Sequence, residues 1–260
     1  MMRSSVEVLD AYGRAFRDLI NAKVWSRDKS IRELLRLNKD DDWNFICAAM
    51  DIVGDACAAV SNFRRFGLDG PTKYNDVGEK YLRLYGVLNA TYIQQEAVLK
   101  LYKLGQVPNL KGAREKIQSL GIREVRHKLG AHSTTYLSGR NGRVESWVPV
   151  QVSLSGFNCE YFNNETLRSE RADLRECINQ HFEILIALMD KVYEKTVKTL
   201  YKAEKKTFEE YMQKLKDLRI QRDGGLVITP ALPGKLLIQA MAPRNLTRRS
   251  TRMRKKPHAG

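Results

Sequence analysis

The residues from Gly121 to Tyr136 read G-I-R-E-V-R-H-K-L-G-A-H-S-T-T-Y and gather two of the chain's four histidines among several cations. Arg126, His127 and His132 form an R-H-x4-H string, in which Gly130 and Ala131 leave little bulk around the second imidazole. Arginine supplies a permanently charged planar fork that matches phosphate oxygens. Histidine has the unperturbed side-chain pKa that lets it take and give protons near neutrality. Holding a phosphate and moving a proton are the two requirements of phosphodiester chemistry.

Helical geometry alone does not bring these groups together. Six residues of a regular helix advance about 600°, which leaves Arg126 and His132 roughly 120° apart. Gly130 is ill suited to a helix interior and fits an end or an irregular turn, where the two could meet at one rim. On spacing alone the string reads better as a solvated basic face of Arg123, Arg126, His127 and Lys128, with His132 at a helix end where the dipole favours a cation.

A resemblance changes that balance. R-H-K-L-G-A-H, with a polar residue directly after the arginine and a histidine closing the string, resembles the R-x4-6-H signature of the HEPN superfamily. These are helical bundles of bacterial toxins, abortive-infection proteins and RNA-processing enzymes. The resemblance is sharp over about seven residues and, through helix order, loosely spans Asp42 to Tyr201. It implies that Arg126 is the motif arginine, His127 the polar position after it and His132 the motif histidine. It further implies a metal-independent endoribonuclease that works as a homodimer, with a toxin or phage-defence setting by analogy.

The elements that must position these residues follow from periodicity and punctuation. The 260 residues are 43% hydrophobic, which is material for one large or two small domains and excludes wholesale disorder. Ser4 or Ser5 caps a packing helix to about Lys23, and a short helix covers Ile31 to Leu37. Asp40, Asp41 and Asp42 then start a helix that runs to Phe66. On it Asp51 and Asp55 share a face, a pair that could bind a metal, but no third ligand is nearby and a solvated face is the better reading. Tyr74 to Leu104 is apolar nearly all round and should be central to a bundle. Its Gln94 and Gln95 therefore either satisfy a neighbouring helix or orient an imidazole in the motif cleft.

Leu110 to Leu120 is a short helix leading into the motif. Beyond it, alternation over Val144, Ser146, Val148, Val150, Val152 and Leu154 has the period of a strand, with Ser155 to Phe157 as the turn and Asn158 to Phe162 returning. Pro149 confines the first strand to an edge or a bulge. Residues 134–166 are thus expected as a β-hairpin insertion. Glu165 to Arg222 reads as one very long helix or two broken near Lys205, and its portion after Lys202 as a projecting arm or partner-binding helix. His181 falls beside the apolar stripe as a packed or surface histidine.

The formal charge of +15 favours an anionic partner, nucleic acid ahead of a membrane surface. The last residues carry Arg248, Arg249, Arg252, Arg254, Lys255 and Lys256 with no opposing acid, a basic arm suited to salt-sensitive binding of phosphate backbones. Cys47, Cys57, Cys159 and Cys177 have neither zinc-site nor disulfide-framework spacing. The N-terminus has no apolar leader pattern and no apolar run approaches about 18 residues, so a cytoplasmic protein with no membrane partner is expected. No sequence feature calls for a metal or another cofactor.

The sequence therefore predicts a mainly α chain: an N-terminal helical segment over residues 1–41, a HEPN-like bundle over 42–222 and an extended basic tail over 223–260. The predicted catalytic residues are Arg126, His132 and His127. Arg123, Lys128 and the six tail cations are expected to bind nucleic acid. The expected partners are RNA, a second copy of the chain, and a protein antitoxin or regulator. The competing expectation is a non-catalytic helical scaffold that binds RNA or protein.

Overall fold

The structure is a computed structural model that describes residues 4–25, 29–72, 75–138, 142–228 and 236–238. It is mainly α. Ser4 caps α1 (Ser5–Val24) through a reciprocal pair of hydrogen bonds with Glu7, a capping box that satisfies two otherwise orphaned donors. Ser30 and Glu33 do the same for α2 (Ile31–Leu35). The next helices are α3 (Asp42–Phe66) and α4 (Val77–Leu104), followed by α5 (Leu110–Gln118) and α6 (Gly121–Arg126). One π-turn, His127–Ala131, ends the motif segment. After the β insertion, α7 (Leu174–Leu200) and α8 (Lys205–Arg222) complete the bundle.

Helix α4 lies at the centre as its all-round apolarity required, packed on α3, α7, α6 and α5. The segment 1–41, set apart in the sequence, enters the same bundle. Leu9, Tyr12 and Leu19 of α1 are fully buried, and the Tyr12 hydroxyl donates to Asp190 of α7 at 2.8 Å. Helix α3 is long and apolar enough to cross a membrane by length and composition, with a mean hydropathy of 1.4 over its best window. Here one side of it packs on α1 and α4.

Two expectations on the later helices need correction. Helix α8 is not a projecting arm: Leu215 and Leu218 are buried, and Arg219 grips Asp190 with two hydrogen bonds of 2.8 and 2.7 Å. Residues 165–173 are not helical. The insertion holds a hairpin of β1 (Tyr136–Ser138) and β2 (Arg143–Glu145), then an antiparallel sheet of β3 (Trp147–Pro149), β4 (Asn158–Asn163) and β5 (Arg168–Asp173). The alternating stretch expected as one strand is thus split, with a 3-10 turn at Gln151–Ser153. Strand β5 escaped detection because it is an edge strand whose residues are exposed except Ala172, so no period-two apolar signal exists. Asp173 ends it by accepting from the backbone N–H groups of Arg175 and Glu176, which starts α7. Pro149 does lie on an edge strand, β3.

The insertion is tied to the bundle at both ends. At Gly67, where φ is 62°, the end of α3 approaches the insertion's Gly156 so closely that an added Cβ would lie 2.4 Å from the Gly156 carbonyl oxygen. Leu68 N–H donates to that same oxygen at 2.8 Å. The other tie is at the motif. Strands β6 (Leu226–Ile228) and β7 (Leu236–Ile238) pair antiparallel in the stretch expected to be extended.

Candidate functional site

Helix α6 carries Arg123 and Arg126 into the π-turn, and His132 occupies the position that closes it. The turn changes the spacing of the two motif histidines from that of a regular helix. In a regular helix His127 and His132 would lie about 140° apart, five residues advancing about 500°. A π-turn instead closes i to i+5. His132 N–H donates to the His127 carbonyl at 2.9 Å, which places the second residue over the first. The two imidazoles lie edge to face with ring centroids 6.2 Å apart. Gly130 sits within the turn, and a Cβ there would meet only Arg126 Cγ at 3.7 Å.

Arg126 lies over the ring of Tyr92 on α4, its guanidinium carbon 3.7 Å from the centroid. A cation stacked this way gains about 0.5–1 kcal/mol and keeps its edge donors free. Among the described residues no carboxylate lies within ion-pair distance of Arg126. His132 is exposed and His127 half-buried. The His127 pKa is pushed below the ordinary imidazole value, first by burial and then by the positive charges of Arg123, Arg126 and His132. His127 is therefore held neutral near pH 7 in surroundings that would welcome an anion.

Arg123 and Lys128 do not serve as surface cations. Arg123 donates to Gln95 Oε1 at 3.0 Å and pairs with Glu96 at 2.8 Å, and its side chain is largely buried. Lys128 is only 4% exposed. Its ammonium donates to Glu170 at 2.7 Å, pairs with Glu124 at 3.0 Å and lies 4.3 Å from the Trp147 ring centroid, with Tyr161 and Tyr136 farther out. One ammonium thus pins the π-turn to strands β1, β3, β4 and β5. An ammonium spaced two residues from Arg126 looks like part of a basic face until Glu170, Trp147 and Tyr161, distant in sequence, are seen to surround it. The tail cations Arg248, Arg249, Arg252, Arg254, Lys255 and Lys256 lie outside the described residues.

Gln94 and Gln95 orient an imidazole, but it belongs to His181 and not to the motif. His181 is fully buried. Its Nε2–H donates to Gln94 Oε1 at 2.8 Å, and Gln95 Nε2 donates to its Nδ1 at 3.1 Å. This arrangement fixes the neutral Nε2–H tautomer, and burial pulls its pKa down to about 3. The chain of contacts continues from Gln95 to Arg123 beside the motif, while Gln94 Nε2 donates to the Val53 carbonyl of α3 at 2.9 Å. Sequence reasoning missed Tyr92, Glu124, Trp147, Tyr161 and Glu170. Glu124 had a local signal, lying four residues before Lys128 at ion-pair spacing, and Tyr92 lies on the central helix two residues before the amide pair.

Among the described residues, no group of three or more His, Cys, Asp and Glu side chains is placed to hold a metal ion. Asp51 is paired with Arg17 at 2.7 Å. No family model, no curated protein and no solved structure matches this chain.

Proposed function

We propose that this chain is an endoribonuclease of the HEPN type that needs no metal for its chemistry. The observation that carries the reading is the π-turn, which sets the imidazoles of His127 and His132 6.2 Å apart, with the charge of Arg126 felt at His127. In this scheme the ribose 2′-oxygen attacks the adjacent phosphorus while its proton passes to one imidazole. The 5′-oxygen leaves and takes a proton from the other imidazole. The products are a 2′,3′-cyclic phosphate and a 5′-hydroxyl. His127, held neutral, suits the base, and exposed His132 the acid. Arg126 holds the phosphate and stabilises the charge that grows on it. A phosphate in this place would also offset the cations that depress His127.

The setting follows by analogy with the superfamily that the motif resembles: RNA as substrate, a homodimer in the cytoplasm, a toxin or phage-defence role and a protein antitoxin or regulator. A second reading, a non-catalytic RNA- or protein-binding scaffold, is favoured by the internal pairing of Arg123 and Lys128, which leaves fewer cations around the motif.

The test is cleavage of a mixed cellular RNA pool in the presence of chelator by wild type, His132→Ala and Arg126→Ala proteins confirmed to be folded. The expected result is wild-type cleavage leaving 2′,3′-cyclic phosphate ends. Each substitution should lower the rate about 10²-fold or more. Salt-dependent RNA binding by all three proteins without cleavage by any would replace the nuclease with the scaffold.

A further inference from the structure

Beside the motif lies a groove of about 510 Å3 between α6 and the insertion, within the size range of small-ligand sites. It shares Glu124 and Lys128 with the motif segment, and its wall is tethered next to His132 by the Trp147 N–H, which donates to the Ser133 carbonyl at 2.7 Å. The hairpin and the sheet meet here. Glu145 stands opposite Tyr136 in the β1–β2 ladder, and Trp147 opposite Asn163 in the β3–β4 ladder.

Glu145 is the unusual wall residue. It is only 9% exposed, and the Trp147 indole N–H and the Asn163 amide both donate to a single one of its oxygens, Oε2, at 3.1 and 2.8 Å. Its Oε1 receives no hydrogen bond among the described residues and is not one of their fully buried atoms, so it opens to solvent in the groove. A ligand donor that replaces water there meets an acceptor already oriented by two hydrogen bonds to its other oxygen. The two nearby carboxylates, Glu124 and Glu170, are about half exposed and already paired with Lys128. Arg168, an exposed residue, also lines the groove and has no carboxylate within ion-pair distance among the described residues.

We propose that this groove is a nucleotide subsite that selects an amino-bearing base, with cytosine as the probe. The base's exocyclic N–H donates to Glu145 Oε1 and its phosphate meets Arg168. A carboxylate only accepts, so it pairs with the N4 amino group of cytosine. Uracil offers an oxygen at the same position, and its N3–H lies between two carbonyl oxygens that would face the carboxylate. Arg168 disfavours a basic peptide as the occupant. Naming the ligand as a unit of RNA rests on the phosphodiester reading of the motif, but the binding is tested without cleavage.

The experiment is an NMR titration of the full chain with cytidine and uridine 5′-monophosphates, following the Trp147 indole N–H, which is assigned by elimination with Trp25→Phe and Trp43→Phe. Cytidine monophosphate should shift that resonance and bind about tenfold or more tightly than uridine monophosphate, as expected for one hydrogen bond to a charged acceptor. Glu145→Gln must keep its oxygen toward Trp147 and Asn163 and so present its NH2 to the groove, which should reverse the preference. Arg168→Gln, at an exposed position, should weaken both ligands equally. N4,N4-dimethylcytidine monophosphate, which has no N4–H, should lose the advantage on the wild-type protein and needs no variant to fold. Absence of a Trp147 shift with either nucleotide, or an unchanged preference in Glu145→Gln, overturns the proposal. Cytidine binding by a chain that cleaves no RNA would sink the nuclease reading and leave this one standing.

Discussion

Replacing Lys128 by methionine tests whether one buried ammonium holds the motif turn to the β insertion. The side chain keeps its length and apolar stem but loses the charge-assisted hydrogen bonds to Glu170 and Glu124 and the contact with the Trp147 ring. Hydrogen bonds of this type are worth about 1.5–3 kcal/mol and a desolvated cation–π contact about 2. The loss is reduced because methionine no longer buries a charge. Both carboxylates are also about half exposed, at 56% for Glu124 and 43% for Glu170, so they regain water. The net expectation is destabilisation by about 2–3 kcal/mol, or roughly 5–10 °C in Tm for a chain of this size. The pH dependence has a defined sign. Burial alone lowers the Lys128 pKa, but hydrogen bonds to Glu170 and Glu124 outweigh it and the net shift is upward. A raised lysine contributes its stability in full below the unfolded value of about 10.4 and loses it as the pH rises through the folded value. The difference in urea midpoint between wild type and Lys128→Met should therefore stay constant from about pH 6 to 9 and narrow only above about 10.4. A variant as stable as wild type at pH 7 would refute the pin, and so would a gap that closes near neutrality.

Two further outcomes follow from buried titratable groups. The folded pKa of His181 lies at about 3, below its unfolded value, so its contribution is present above about pH 6.5 and lost as the pH falls from there toward 3. Its imidazole 15N shifts should report the neutral Nε2–H tautomer at pH 5, and a charged ring at that pH would contradict the amide clamp. The carboxyl of Asp190 is held below the ordinary range, burial opposing and the Arg219 and Tyr12 hydrogen bonds prevailing. Its contribution is present above about pH 3.9 and is lost below it. Asp190→Asn should cost about 3 kcal/mol at pH 7, read as a lowered urea midpoint, with the gap to wild type shrinking below about pH 4. Equal midpoints at pH 7 would show that this contact does not dock α8.

The sequence alone determined most of the helices, though not the start of α7, because the forces that start and stop a helix act over three or four residues. Ser4 with Glu7, the aspartates before α3 and the apolar spacing of α4 all lie within reach of a local pattern. Pro149 placed its strand at an edge for the same kind of reason, a missing backbone donor. The string Arg126, His127 and His132 was equally visible as a set of residue types. What the sequence could not supply was the company these residues keep. Lys128 and Glu170 are 42 residues apart, and Gln94 and His181 are 87 apart. Only packing of the insertion and α7 against α4 and α6 turns a surface-looking lysine into a buried pin and gives the paired amides their histidine. Strand β5, nearly all exposed, forms because β4 offers it a ladder, not because its own residues alternate. The π-turn belongs with these, since its closing hydrogen bond departs from helical spacing at a point where the Lys128 ammonium is held by Glu170 and Trp147, which the neighbouring sequence does not contain.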